Sequence, residues 1–352
     1  MRLFLKRFLV LAAMTTLALA GCDGGDTADS GGAGGGGGGE KPVIGVSIPA
    51  ADHGWTGGVV YWANEARKQY GDEAEILIQT AGTPEEQISQ IENMLTQGVD
   101  AMVVLATESA PLTPTAKRIK ERGVYLVNVD RGFLEPVADV YVAGDNAAFG
   151  RQSAEYMVEK MGGQGNIVIV TGIPSTVDTA RVEAAKAVFA QHEGINVLDQ
   201  AVGNWNREDA LNAMQGLLQK HSDIDAVWAQ DDDMAEGIEQ AIKEAGRQND
   251  MWVMGGAGKK EIVKRVMDGD AMFPADITYP PSMILAGIAL AKARLVDGDL
   301  AAAAEDMPEH LGVTKEMIEQ AKQQEGQKQL TLPVLLITPE NASDFYFPES
   351  VF

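Results

Sequence analysis

Acidic, guanidinium and indole side chains recur in short clusters along this chain, each cluster directly after an apolar run. Asp52-His53-Gly54-Trp55-Thr56 follow the first run, Asp130-Arg131-Gly132 the fourth, and Ser175, Thr176 and Asp178 the fifth. Trp205 and the trio Asp231-Asp232-Asp233 fall after later ones. Carboxylates accept hydrogen bonds from neighbouring hydroxyls, guanidinium groups donate them, and an indole face covers a C–H surface. Such a set suits a small polyhydroxylated ligand. It suits covalent catalysis poorly, because the chain has no Gly-x-Ser-x-Gly elbow and its sole cysteine, Cys22, lies far from these clusters. The four histidines, His53, His192, His221 and His310, show no metal-binding spacing. His192 and His221 read as polar groups at helix ends. His53 shares a strand end with other polar residues, and both ligand contact and a structural role stay open for it. Asp231 to Asp233 could hold a hard cation, but the Asp-x-Asp-x-Asp-Gly pattern is missing. No catalytic residue, metal or cofactor is expected.

Clusters at such positions need strands that end together, since parallel α/β sheets bind ligands beyond the carboxyl ends of their strands. From Val43 onward, short β-branched runs alternate with helical patterns of roughly four turns, the signature of βα units. The strand candidates are Val43 to Pro49, Glu75 to Thr80, Ala101 to Ala106, Val124 to Val129, Asn166 to Thr171, Ala226 to Gln230, Trp252 to Gly255 and Met272 to Tyr279. Between the second and third, Thr83 caps a helix with Pro84 in its first turn, Ile88, Ile91 and Leu95 on one face and Gly98 at its end. Further helices are expected at Val177 to Gln191 and Ala210 to Lys220. Trp62, Trp228 and Trp252 sit inside apolar patterns and read as core. About ten strands exceed one compact open sheet. The spacing predicts two α/β lobes of doubly wound parallel sheet, with a break near Gly144 to Asn146 and a return near Thr278 to Pro281. The polar stretch from Ala301 to Gln329 reads as a surface excursion, Leu332 to Ile337 as a final strand, and Phe345-Tyr346-Phe347 as a packed tail.

The 352 residues carry 51 acidic against 28 basic side chains, a formal charge of -23, so a phosphate backbone would be repelled and nucleic acid is not an expected partner. At the start, Arg2, Lys6 and Arg7 precede an apolar run, Phe8 to Ala20, that is short for a bilayer span and fits a targeting signal over 1–21. Leu19-Ala20-Gly21-Cys22 resembles the lipobox of bacterial lipoproteins, which implies lipid attachment at Cys22 and a membrane anchor. Residues 22–40, with six glycines from Gly34 to Gly39, hold almost no apolar side chains and read as a flexible tether.

Taken together, Val129-Asp130-Arg131, Gly144-Asp145-Asn146 with Gly150, Thr179-Ala180-Arg181, Ala229-Gln230-Asp231-Asp232-Asp233-Met234-Ala235 and Val253-Met254-Gly255 resemble the ribose-type solute-binding proteins of ABC importers. The resemblance covers nearly all of Pro42 to Thr338. It implies the type I periplasmic-binding fold, with a three-crossover hinge near Asp145, Thr278 and Val334 to Ile337. The implied lobes are 41–145 plus 279–334 and 146–278 plus 335–352. It further implies a monomeric, extracytoplasmic receptor that closes over a sugar or sugar alcohol and meets a permease and an ATPase. His53, Trp55, Thr56, Asp130, Arg131, Arg181, Trp205, Asp231 and Thr278 are the implied ligand contacts, with an ion-pair network between lobes as the alternative for Asp130, Arg131 and Arg181. The sequence departs from the family pattern at Gly256, Ala257 and Gly258, where an aspartate is common, and at Thr278, where ribose binders carry glutamine. The opening Ala51 to Thr56 looks like relatives that take linear polyols, so a pentitol or pentose is the leading expectation. A receptor that presents its closed form to a membrane sensor is the alternative.

Overall fold

A computed structural model describes residues 41–352; the expected leader, the tether and Cys22 lie outside the described residues. The chain opens with β1 (Val43–Pro49), α1 (Gly54–Tyr70), β2 (Glu75–Ala81), α2 (Pro84–Gln97), β3 (Ala101–Val104), α3 (Ser109–Glu121), β4 (Tyr125–Val129) and β5 (Val140–Gly144). It continues through α4 (Asn146–Lys160), β6 (Gln164–Thr171), α5 (Thr176–Phe189), β7 (Gly194–Val202), α6 (Arg207–Lys220), β8 (Ala226–Ala229), α7 (Asp232–Glu244), β9 (Trp252–Met254) and α8 (Lys260–Met267). The last part holds β10 (Asp276–Ile277), α9 (Met283–Lys292), α10 (Lys315–Lys322), β11 (Lys328–Leu332) and β12 (Leu336–Ile337).

Two parallel sheets result, in the orders β11-β5-β4-β3-β1-β2 and β7-β6-β8-β9, while β10 and β12 form a small antiparallel pair. The central strands β3 and β8 are buried at every residue, as strands covered by helices on both faces must be. Helix α2 is closed as its sequence demands. The Thr83 side chain accepts the N–H of Glu86, and Gly98, at φ +84°, donates its N–H to Leu95 O. Ile91 and Leu95 are buried against Met102 and Leu126 on one face of the first sheet, and α9, apolar from Met283 to Ala291, covers the other. Met214, Ile238 and Ile262 fill the outer face of the second sheet. The chain passes between the sheets at Gly144 to Asn146, at Thr278 to Tyr279 and at Pro333 to Leu335.

Three strands are absent from the sequence reading. Both β7 and β11 are edge strands with most of their residues at least partly exposed, so their sequences look polar, and β5 is a short strand behind an irregular loop. The expected strand from Leu332 to Ile337 is interrupted, because Pro333 has no N–H to continue the ladder of β11. The stretch from Ala301 to Gln329 is more than a surface excursion: Ala301, Ala303, Leu311, Ile318 and Ala321 are buried in the first core. Trp228 is fully buried, whereas Trp62 and Trp252 are partly exposed and pack on the core edge. Phe345 and Tyr346 pack against the second core, and Phe347 is half exposed beside His310.

Candidate ligand-binding site

Each wall of the site is built by the turn after a strand. After β1, His53 sits at the N-cap of α1 in extended backbone. Asp52 fixes this turn: its Oδ1 lies 2.6 Å from His53 Nδ1 and accepts the Thr56 hydroxyl at 2.9 Å. The His53 hydrogen bond lowers the Asp52 pKa to about 2 despite partial burial. The next residue but one, Trp55, is buried and donates its indole N–H to Tyr279 O at 2.8 Å.

After β4, Asp130 adopts φ +60°, a left-handed conformation that non-glycine residues take at a cost of order 1–3 kcal/mol, held here by its N–H bond to Val142 O at 2.8 Å. Arg131 is anchored by donation to Thr107 O at 2.9 Å and Ala106 O at 3.3 Å, the carbonyls beyond β3. Its Nε lies 3.9 Å from Asp130 Oδ2.

The opposite wall comes from the second sheet. Arg181, on α5, donates to Asn146 Oδ1 and Gln230 O, each at 2.9 Å, and its guanidinium lies over the rings of Phe149 at 3.8 Å and Tyr279 at 4.3 Å. Burial lowers the pKa of both Arg131 and Arg181, with nearby carboxylates and Tyr279 opposing it. Trp205, at φ +59°, leans on Gly172, where an added Cβ would fall 1.8 Å from Trp205 Cε2. Asp231 caps α7 by accepting the N–H of Met234 at 3.1 Å. Burial raises its pKa to about 7, with Asp233 and Asp232 adding to the rise and His53 opposing it.

These groups meet in one narrow cleft with about 30 Å³ of free space. His53, Trp55, Asp130 and Arg131 line it from the first sheet, and Arg181, Trp205 and Asp231 line it from the second. Seven of the nine expected contacts are therefore brought together. Thr56 and Thr278 are not. Thr56 is buried behind the turn with its hydroxyl committed to Asp52. Thr278 turns away from the cleft, where its Oγ accepts the N–H of Leu335 at 2.9 Å and it lines a larger, apolar cavity with Tyr61, Trp62 and Phe345. Successive side chains of an extended segment point to opposite sides, so the next residue, Tyr279, faces the ligand cleft instead. Its hydroxyl donates to Asp130 Oδ1 at 2.7 Å and accepts from Asn146 Nδ2 at 3.1 Å. Gly144 makes room for the ring, because a Cβ there would meet Tyr279 Cε2 at 2.3 Å.

Gln230, Val177 and Ala257 complete the lining, with the Gln230 side chain buried beside Asp178. The sequence signal for Tyr279 was present: an amphipathic aromatic immediately before the Pro280-Pro281 pair, one position beyond the residue singled out.

The trio Asp231 to Asp233 does not form a cation site. Asp231 faces the cleft, Asp232 accepts the N–H groups of Gly256 and Lys259, and Asp233 accepts Lys259 Nζ and the N–H of Gly54. Among the described residues, no group of three or more His, Cys, Asp or Glu is placed to hold a metal. Among the described residues, Arg131 and Arg181 make no ion pair across the lobes and are held instead by carbonyls and an amide. Two lips close the cleft: Gly54 N to Asp233 Oδ2 at 2.6 Å, and Gly132 N to Thr176 Oγ at 3.0 Å.

Two parallel α/β lobes joined by three crossovers, shut over a cleft with two carboxylates, two guanidinium groups and three aromatic rings, define a bilobal small-molecule binding protein. The chain belongs to the periplasmic binding protein family, whose profile, described as a periplasmic binding protein domain, matches residues 44–299. It is 33% identical to the xylitol-binding protein of Mycolicibacterium smegmatis over 215 residues, covering 60% of this chain and 61% of that protein's length. It is 27% identical over 209 residues to the ribose import binding protein of Bacillus subtilis, covering 59% of this chain and 67% of that one. Among solved structures, an ABC transporter solute-binding protein from Bacillus halodurans with bound myo-inositol superposes with a TM-score of 0.74 at 22% identity, covering 88% of this chain and 99% of that one. That likeness fixes the fold as the type I periplasmic-binding architecture implied by the sequence resemblance.

Proposed function

We propose that this protein is the extracytoplasmic receptor of an ABC importer and captures a small sugar or sugar alcohol by closing its two lobes over it, without chemical change. The observation that carries this reading is the convergence of Asp130, Arg131, Arg181 and Asp231 between Trp55, Trp205 and Tyr279 in a buried cleft fed by both lobes. Asp130 and Asp231 offer acceptors opposite two guanidinium donors, so the cleft matches a ligand rich in hydroxyls, and the flat rings match its C–H faces. The likeness to a xylitol-binding protein supports a linear pentitol, with a pentose next. The working division is a first lobe of 41–145 plus 279–334 and a second of 146–278 plus 335–352. A permease and an ATPase are the partners, Cys22 is the lipid attachment point, and the closed form is what the transporter recognises.

Ligand contact with both lobes stabilises the closed state by its differential affinity. A thermal-shift screen of pentitols, tetritols, pentoses, hexoses and inositols tests the reading. A ligand at one hundred times its Kd adds about 2.7 kcal/mol of stability, so a true ligand gives an upward shift of several degrees. A flat response across the panel would remove the sugar or polyol assignment.

A further inference from the structure

Asp233 does not line the ligand cleft, yet it joins the two lobes. It lies in the first turn of α7 on the second lobe, and its Oδ1 accepts Lys259 Nζ at 2.8 Å, with Arg207 3.9 Å away. Lys259 is also bonded to Glu236 at 2.7 Å. All these partners belong to the second lobe, so the carboxylate keeps its aim when the lobes part. Its Oδ2 accepts the N–H of Gly54, the first residue of α1 on the first lobe, at 2.6 Å. The first turn of α1 has no acidic residue of its own, and its leading N–H groups have no partner within the helix. A carboxylate from the opposite lobe satisfies one of them only when the cleft is shut. The Asp233 side chain is 9% exposed, so this charge-assisted bond is largely shielded from water. The fit also restricts residue 54, since a Cβ on Gly54 would lie 2.7 Å from Asp233 Oδ2. On the other lip, the bond from Gly132 N to the Thr176 hydroxyl is neutral.

We propose that Asp233 is an affinity-setting latch, a residue that never touches the ligand but strengthens its capture by holding the lobes closed through the N-terminus of α1; this rests on the closure reading above. Loss of a shielded hydrogen bond to a charged group corresponds to about ten-fold or more in the closing equilibrium. That factor passes directly into the apparent affinity.

The test uses the wild type with Asp233→Ala, Asp233→Asn and Gly54→Ala. Calorimetric titrations use xylitol, D-ribose and myo-inositol as probes, and amide hydrogen exchange is followed in the peptide covering 53–58 at saturation with each probe that binds. The expected result is about ten-fold or greater weakening for Asp233→Ala and Gly54→Ala, through faster dissociation, with a smaller loss for Asp233→Asn, whose amide oxygen still accepts a bond. At probe saturation, exchange at 53–58 should be faster in Asp233→Ala, with the rest of α7 protected as in the wild type. Unchanged affinity and unchanged exchange would overturn the latch, as would general loss of protection across α7, which would make Asp233 a folding residue only. If none of the three probes binds the wild type, the receptor reading loses its support and the latch falls with it, whereas probe binding with affinity and exchange unchanged in Asp233→Ala overturns the latch alone.

Discussion

Asp231→Asn should invert the usual penalty for losing a buried charge. Asp231 is 4% exposed, and burial raises its pKa from 3.8 to about 7. A raised carboxyl pKa means the folded protein holds a proton that the unfolded chain has already released. The stabilisation by the neutral form is therefore complete below about pH 4, declines as pH rises, and is gone above about pH 7. Each pH unit in that window corresponds to about 1.4 kcal/mol, so from pH 5 to pH 8 the wild type loses ~3 kcal/mol at this residue. Opening of the cleft hydrates the carboxyl and reduces that figure. Asparagine keeps the cap on Met234 N but does not ionise. Asp232 and Asp276, both raised by burial, add the same sign of pH dependence to both proteins. Urea unfolding of the ligand-free wild type and variant at pH 5 and pH 8 checks this. The variant should gain on the wild type by 1–3 kcal/mol between the two pH values. Parallel pH dependence in both proteins, or a variant that loses more on going to pH 8, would refute the reasoning.

Gly172→Ala places a methyl group within the Trp205 ring and should cost 1–3 kcal/mol of stability while lowering affinity for the screened ligand at least ten-fold, as measured by thermal unfolding and calorimetric titration. Tyr279→Phe removes the hydroxyl that joins Asp130 to Asn146 and should cost about 1–3 kcal/mol of stability; a variant as stable as the wild type would show that these two groups find other partners.

How far sequence leads to this site depends on what each residue does. Asp130, Arg131 and Asp231 were readable because they follow largely apolar strands, and residues at such ends are placed by the sheet itself. Arg181 was reached only through the family resemblance, since nothing in the α5 sequence says that its guanidinium will lie over Phe149 and Tyr279. The exchange of Thr278 for Tyr279 is an error of one residue in an extended crossover, where one step reverses the direction of the side chain. Strands β7 and β11 escaped because an edge strand needs apolar residues on only part of its surface, and the alanine-rich 301–304 packs through small side chains that carry little hydrophobic signal. The Asp233 latch pairs residues 179 positions apart, which no local pattern reveals.

The central claim is that two lobes swing together on a polyhydroxylated ligand. Small-angle scattering of the protein, free and then saturated with the ligand found by thermal shift, measures that motion directly. The account predicts a smaller radius of gyration on saturation and a profile matching the closed structure; identical profiles in the two states would contradict it.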